Sequence, residues 1–130
     1  MTTTGPRHLV LDTGALLGVE LAAPRVRALL REAAAVGCRF TVPAGVVAQA
    51  WRGGPRQATV ARLLSDRSVA VAELDGATAR AVGVLSGRSG HPDVVDVHVA
   101  LTARQLDALV VTSDPDDIRR VDPSLDIVGV

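Results

Sequence analysis

The chain contains no lysine: all 14 of its basic residues are arginine, balanced by 14 acids to a formal net charge of zero. Bulk electrostatics therefore argues neither for nor against a nucleic-acid partner. The arginine bias fits first the codon usage of a G- and C-rich genome, with selection for bidentate phosphate contacts as the alternative. Tyrosine is also missing, and Phe40 and Trp51 are the only aromatics, too few rings for a platform that stacks several bases. A single cysteine, Cys38, excludes an intrachain disulfide. No apolar run approaches the roughly 18 residues needed to cross a bilayer, because Arg31 and Glu32 break the most helical stretch. Repeats and low-complexity segments are absent. With no apolar leader ahead of the first apolar run, the expected setting is the cytoplasm, with no membrane partner.

What is present is aliphatic. Val, Leu and Ala supply most of the 48% hydrophobic content, and 130 residues suffice to bury roughly two thirds of the unfolded surface around one core. One domain over residues 1–130 is expected, its MTTTGPR leader no more than a frayed terminus. Short apolar runs alternate with helical periodicity. Residues 8–12 read as a strand and PRVRALLREAAAVG as a helix; RFTV is a strand, PAGVVAQAWR a helix opened by Pro43, GG a break, and PRQATVARLLSD a further helix. VAVAEL reads as a strand, LDGATARAVGVLSG as a helix, SGRSGHP as a loop and DVVDVHVALTARQL as a helix. LVVT, DPDDIRRV and DIVGV close the chain as strand, helix and strand. Strands separated by such helices predict an α/β fold with a central, mostly parallel sheet covered on both faces.

Two apolar strands end on acids. Leu9, Val10 and Leu11 run into Asp12, and Leu109 to Val111 run through Thr112 and Ser113 into Asp114. In an open α/β sheet the carboxyl edge of the strands is where ligands bind. HPDVVDVHVALTAR adds Asp93 and Asp96, three residues apart on one helix face. Each acid has a structural explanation: Asp12 as a turn residue, Asp93 or Asp96 as a helix cap, Asp114 as a cap or Asx-turn ahead of Pro115. Independent capping gives no reason for all four to converge on one edge, where they repel unless a cation sits among them. Oxygen donors suit Mg²⁺ or Mn²⁺ rather than Zn²⁺. His91 and His98 are not spaced as a zinc pair; His98 is off the Asp96 face and reads as structural, whereas the loop residue His91 is within reach of such a site.

LVLDTGALL, VPAGVVAQAWRGG, HPDVVDVHVALTA and LVVTSDPDDI together resemble the PIN-domain family, in particular the VapC-type toxins of bacterial toxin-antitoxin pairs. The likeness covers nearly the whole chain and implies a PIN-like three-layer sandwich. It puts the family's first acid, followed by Thr or Ser, on Asp12 and Thr13, its helix-borne acid on Asp96 with small residues at Ala100 and Ala103, and its strand-end acid on Asp114 with Thr112 before it. Asp93 matches a further acid just upstream. The resemblance implies a Mg²⁺- or Mn²⁺-dependent endoribonuclease, with Asp12, Asp96 and Asp114 catalytic, Asp93 joining them at the metal, and Thr13, Thr112 and Ser113 orienting the ligands. It further implies RNA as substrate and a cognate antitoxin as partner, and leaves open whether the chain forms a homodimer. Arg52 and Arg56, flanking GGP, are candidates for RNA phosphate contact.

The sequence departs from the pattern where the family places a Glu in the helix read from VVAQAWRGG. Gln49 stands there and supplies no negative ligand, so Glu20, eight residues beyond Asp12, is expected as a substitute metal ligand. A reading of another class stays beside the nuclease: a weak or inactive PIN fold that binds RNA or a protein. A phosphate-accepting receiver-like domain is set aside, because it requires a lysine near its acids.

Overall fold

A computed structural model describes residues 7–130. Five strands, β1 (His8–Leu11), β2 (Arg39–Pro43), β3 (Val69–Ala72), β4 (Leu109–Thr112) and β5 (Ile127–Gly129), form one sheet in the order β3-β2-β1-β4-β5. Every pairing is parallel. The expected mostly parallel sheet is thus wholly parallel among the described residues. Its two most apolar strands are neighbours at the centre: Leu9, Val10 and Leu11 of β1 pair with Leu109, Val110 and Val111 of β4. Strands enclosed on both faces need apolar side chains at successive positions, and Val10, Leu11, Val110 and Val111 have no exposed surface.

Seven α-helices flank the sheet among the described residues: α1 (Thr13–Glu20), α2 (Pro24–Ala35), α3 (Ala44–Ala50), α4 (Ala58–Ser65), α5 (Gly76–Ser89), α6 (Val94–Leu106) and α7 (Pro115–Val121). α1 packs with α2 and α4, α6 packs with α5 and α7, and α3 touches both α1 and α6. The main core joins β1, β2 and β4 to Leu16, Val26, Val46, Val60 and Val99, while Val82, Val97, Ala100 and Val121 form a smaller cluster between α5, α6 and α7. Phe40 is the one aromatic in this core; Trp51 is exposed.

Several element boundaries differ from the sequence reading, for physical reasons. α1 was not expected as a helix. Its eight residues bury Ala15, Leu16, Gly18 and Val19, a face too broad to show helical periodicity. PRQATVARLLSD is not one helix but a 3₁₀ turn at Pro55–Gln57 followed by α4. α5 runs on to Ser89 and stops at Gly90, whose φ of 72° is the left-handed cap that glycine adopts without strain, so the expected loop shrinks to residues 90–93. Pro43 closes β2 and precedes α3. The MTTTGP segment lies outside the described residues.

The sheet's order places a topological switch at its centre. From β1 the chain goes to β2 and β3 on one side, then returns across the sheet to β4 and β5 on the other. A crevice at the carboxyl ends of β1 and β4 follows from that wiring.

Candidate metal centre in the cleft above β1 and β4

Asp12 follows the last residue of β1 and is 5% exposed. Its Oδ1 accepts from the Ala15 amide at 2.9 Å, capping α1, and its Oδ2 accepts from the Thr112 hydroxyl. Thr112 Oγ1 also accepts from the Asp114 amide at 2.9 Å, so one buried hydroxyl joins the acids at the ends of both central strands. The turn role expected for Asp12 is thus a helix cap, and it coexists with the cleft position. Burial pushes the Asp12 pKa up, against its hydrogen bonds to Thr112 and Ala15, and the Asp114 charge adds to the rise.

Close approach of α1 to the β4–α7 connection requires Gly14. A Cβ there would lie 2.0 Å from Ser113 Oγ and 2.5 Å from Ser113 Cβ. Thr13, beside it, donates to Gln49 Oε1 at 2.5 Å, tying α1 to α3.

Asp93 caps α6, its Oδ1 accepting from the Val95 amide at 2.9 Å and the Asp96 amide at 3.3 Å. Asp96, in the first turn, leaves its carboxylate free of capping and meets His91 Nε2 at 2.8 Å. Its pKa is raised, first by burial and further by Asp93 and Asp117, while His91 opposes the rise. Asp114 makes no capping bond, and among the described residues its carboxylate has one hydrogen-bond donor, Ser113 Oγ, at 3.4 Å.

Asp12, Thr13, Gly14, Gln49, Asp93, Asp96, Ser113, Asp114 and Asp117 line one open cleft of about 270 Å³, floored by Leu17, Val95 and Val99. Four of the five acids expected at the site, Asp12, Asp93, Asp96 and Asp114, are there, with Thr13, Gln49 and Ser113 beside them. Thr112 serves from beneath, fully buried.

Three expected residues are not in this cleft. Glu20 ends α1, about 10 Å along the helix axis from Thr13, so the helix carries it away from the acids it was expected to join. Arg52 turns back to cap α3, its Nη1 donating to the carbonyls of Ala48 at 3.1 Å and Trp51 at 2.8 Å, where orphan carbonyls attract a cation. Arg56 is exposed in the 3₁₀ turn, outside the lining. Two residues were not picked from sequence as ligands: Asp117, which lines the cleft, and His91, named only as within reach, which is outside the lining and contacts Asp96. Asp117 repeats from Asp114 the three-residue spacing of Asp93 and Asp96, a signal that was available; the aim of a histidine in a short loop leaves no such trace. One ligand atom each from His91, Asp96 and Asp117 lies within 4.8 Å of the others.

A family model, the PIN domain, matches residues 9–123. The chain belongs to the PIN-domain family. Solved structures of similar architecture include that of VapBC2 from Rickettsia felis bound to a DNA fragment from its promoter, with TM-score 0.70 and 15% identity over 95% of this chain and 98% of that one. FitAB bound to an IR36 DNA fragment aligns with TM-score 0.62 and 18% identity over 93% of this chain and 94% of that one. FitAcB from Neisseria gonorrhoeae aligns with TM-score 0.61 and 18% identity, covering 93% and 96%. At these identities the likeness concerns the fold. No curated protein matches the sequence. In this PIN domain the carboxylate-rich donor set fits a hard divalent cation: oxygens predominate, and the mutual repulsion that helps to raise Asp96 is what a cation relieves. No helix of the described residues is long and apolar enough to cross a membrane.

Proposed function

We propose that this PIN domain is a Mg²⁺- or Mn²⁺-dependent endoribonuclease, the toxin of a toxin-antitoxin pair acting in the cytoplasm. The observation that carries the reading is the convergence of Asp12, Asp93, Asp96, Asp114 and Asp117 on one cleft at the switch point of the sheet. Asp12, Asp96 and Asp114 would hold the cation, with Asp93 beside them. A divalent ion held by these residues would supply Lewis-acid activation of a water and stabilisation of developing negative charge for phosphodiester hydrolysis. The protein's own part is placement. Thr112 fixes the Asp12 carboxylate, Asp93 fixes the start of α6 and with it Asp96, and Gly14 admits the Ser113–Asp114 turn. No protein nucleophile is required. The sequence resemblance to VapC-type toxins and the two-component names FitAB and VapBC2 support an antitoxin encoded beside this chain.

A second reading, a weak nuclease that chiefly binds RNA or a protein, is favoured by one observation: Gln49 is neutral and its amide oxygen already accepts from Thr13.

Incubating the purified protein with structured RNAs in the presence of Mn²⁺ or EDTA decides between them. Cleavage that requires the ion and vanishes in Asp114→Asn supports the nuclease. Binding of RNA without cleavage supports the second reading. Recovery of a stable complex on co-expression with the adjacent gene tests the partner.

A further inference from the structure

Among the described residues β3 is an open edge of the sheet, pairing with β2 on one side and with no strand on the other. Phe40 is in register with Val69 and donates its N–H to the Ser68 carbonyl at 2.8 Å, so the backbone groups of Ala70 and Ala72 turn towards β2. Those of Val71 point outward, as do the Val69 carbonyl and the Glu73 amide. The Val69 amide is already taken by the Asp66 carbonyl at 3.0 Å. Edge strands of soluble proteins are commonly guarded by charge, proline or a bulge. The VAVA strand carries none of these, and Ala70 and Val71 are exposed, Val71 to 44%. Charge sits only beyond its ends, with Arg67 before the strand and Glu73 and Asp75 after it, all exposed. Neither Arg67 nor Glu73 has an ion-pair partner among the described residues.

We propose that two copies of this chain associate through β3, antiparallel about a two-fold axis at Val71, so that their sheets join into one. The strand's own charges select a second copy as the occupant: a basic start and an acidic end complement the same pattern running the opposite way. Parallel pairing would set like charges side by side. The outward backbone groups belong to Val69, Val71 and Glu73, so these residues must face one another across the junction. With Val71 opposite Val71, each Val71 amide donates to the other copy's Val71 carbonyl and each Glu73 amide to the other copy's Val69 carbonyl. The Val69 amide keeps its bond to Asp66. A register with Val69 opposite Val71 would need that occupied amide. The favoured register also sets Arg67 of one copy opposite Asp75 of the other and diagonal to Glu73, at both ends of the junction. Such an isologous contact closes as a dimer and removes both open β3 edges. Because the joined strands run in opposite directions, the carboxyl edges of the two sheets, and with them the two acidic clefts, face opposite ways.

Sedimentation velocity of the purified full chain at rising concentration reads the association, and oxidation of Val71→Cys reads the register. Directly opposed residues of a hydrogen-bonded antiparallel pair stand about 5.5 Å apart, within disulfide reach. The wild type is expected to show a monomer–dimer equilibrium. Val71→Pro, which removes the outward donor from an edge strand that tolerates proline, is expected to be monomeric. Arg67→Glu, which sets like charges together at both ends, should raise the dissociation constant on the order of tenfold. Oxidised Val71→Cys should run as a dimer that reductant splits, forming faster than any dimer of Leu106→Cys, a control at a 40% exposed position on α6. A wild type that stays monomeric throughout overturns the proposal. So does a dimer that Val71→Pro leaves unchanged, which puts the interface elsewhere. Cross-linking of Val71→Cys no faster than the control overturns the pairing even in a dimeric protein. The cross-link decides where Val71→Pro fails to fold, and none of these outcomes bears on the metal centre.

Discussion

Thr112 donates its hydroxyl proton to Asp12 Oδ2 across 100 residues of chain, and with the same oxygen accepts from the backbone of Asp114. The ends of β1 and β4 are held in register by this one side chain. Thr112→Val removes the hydroxyl and leaves a 5% exposed carboxylate with one donor fewer. The expected cost is about 1–3 kcal/mol, together with loss of cleavage, and Thr112→Ser should restore most of both. Urea denaturation at neutral pH alongside RNA cleavage checks the pair.

Asp96 and Asp12 are raised chiefly by burial, from an ordinary value of 3.8. Between that value and the raised ones the native state binds more protons than the unfolded chain, so these two acids make the metal-free protein gain stability as pH falls through the window and lose it as pH rises. Asp96→Asn should remove its share of that slope, leave the apo protein at pH 7 at least as stable as the wild type, and abolish cleavage. Melting curves in EDTA at pH 4 to 7 provide the measurement. A large loss of apo stability would mean that Asp96 is structural.

His98 acts in the opposite sense. It is 1% exposed, its Nδ1 has no partner among the described residues, and burial lowers its pKa from 6.5. The unfolded chain therefore binds the extra proton between 6.5 and the lowered native value, and stability falls as pH drops through that range. His98→Leu, which removes the titrating ring, should narrow the difference in melting temperature between pH 5 and pH 7 relative to the wild type.

Glu20 and Gln49 separate cleanly on geometry. Gln49 lines the cleft, whereas Glu20 sits at the far end of α1. Gln49→Glu should tighten Mn²⁺ binding and raise cleavage, since it adds a charge to the cleft, and Glu20→Gln should change neither. Cleavage rate against Mn²⁺ concentration for both variants distinguishes this from a Glu20 that compensates.

Much of the site was legible because the physics behind it is local. An acid at the end of a fully apolar strand, as at Asp12, or two acids on the first turn of a helix, as at Asp93 and Asp96, can be read from a few residues, and parallel topology then places them on one edge. α1 was hidden because four of its eight residues are buried, which erased the helical period, and with it went the distance between Glu20 and the cleft. Arg52 looked like a phosphate ligand because nothing in its neighbours reveals that its guanidinium caps α3. Gln57 was missed for the same reason: it is 3% exposed, and its amide holds the backbone of Ala50, Arg52 and Gly53, a role set by the loop's path and not by residue type.

Binding of Mn²⁺ by the metal-free protein, measured by calorimetry on the wild type and on an Asp12→Asn, Asp96→Asn double variant, tests most directly whether the converging acids form one cation site. The wild type should bind the ion and the double variant should show binding weakened by at least about a hundredfold, the order expected from removing two charged oxygen ligands. Equal binding by the two proteins would contradict the assignment of the cleft.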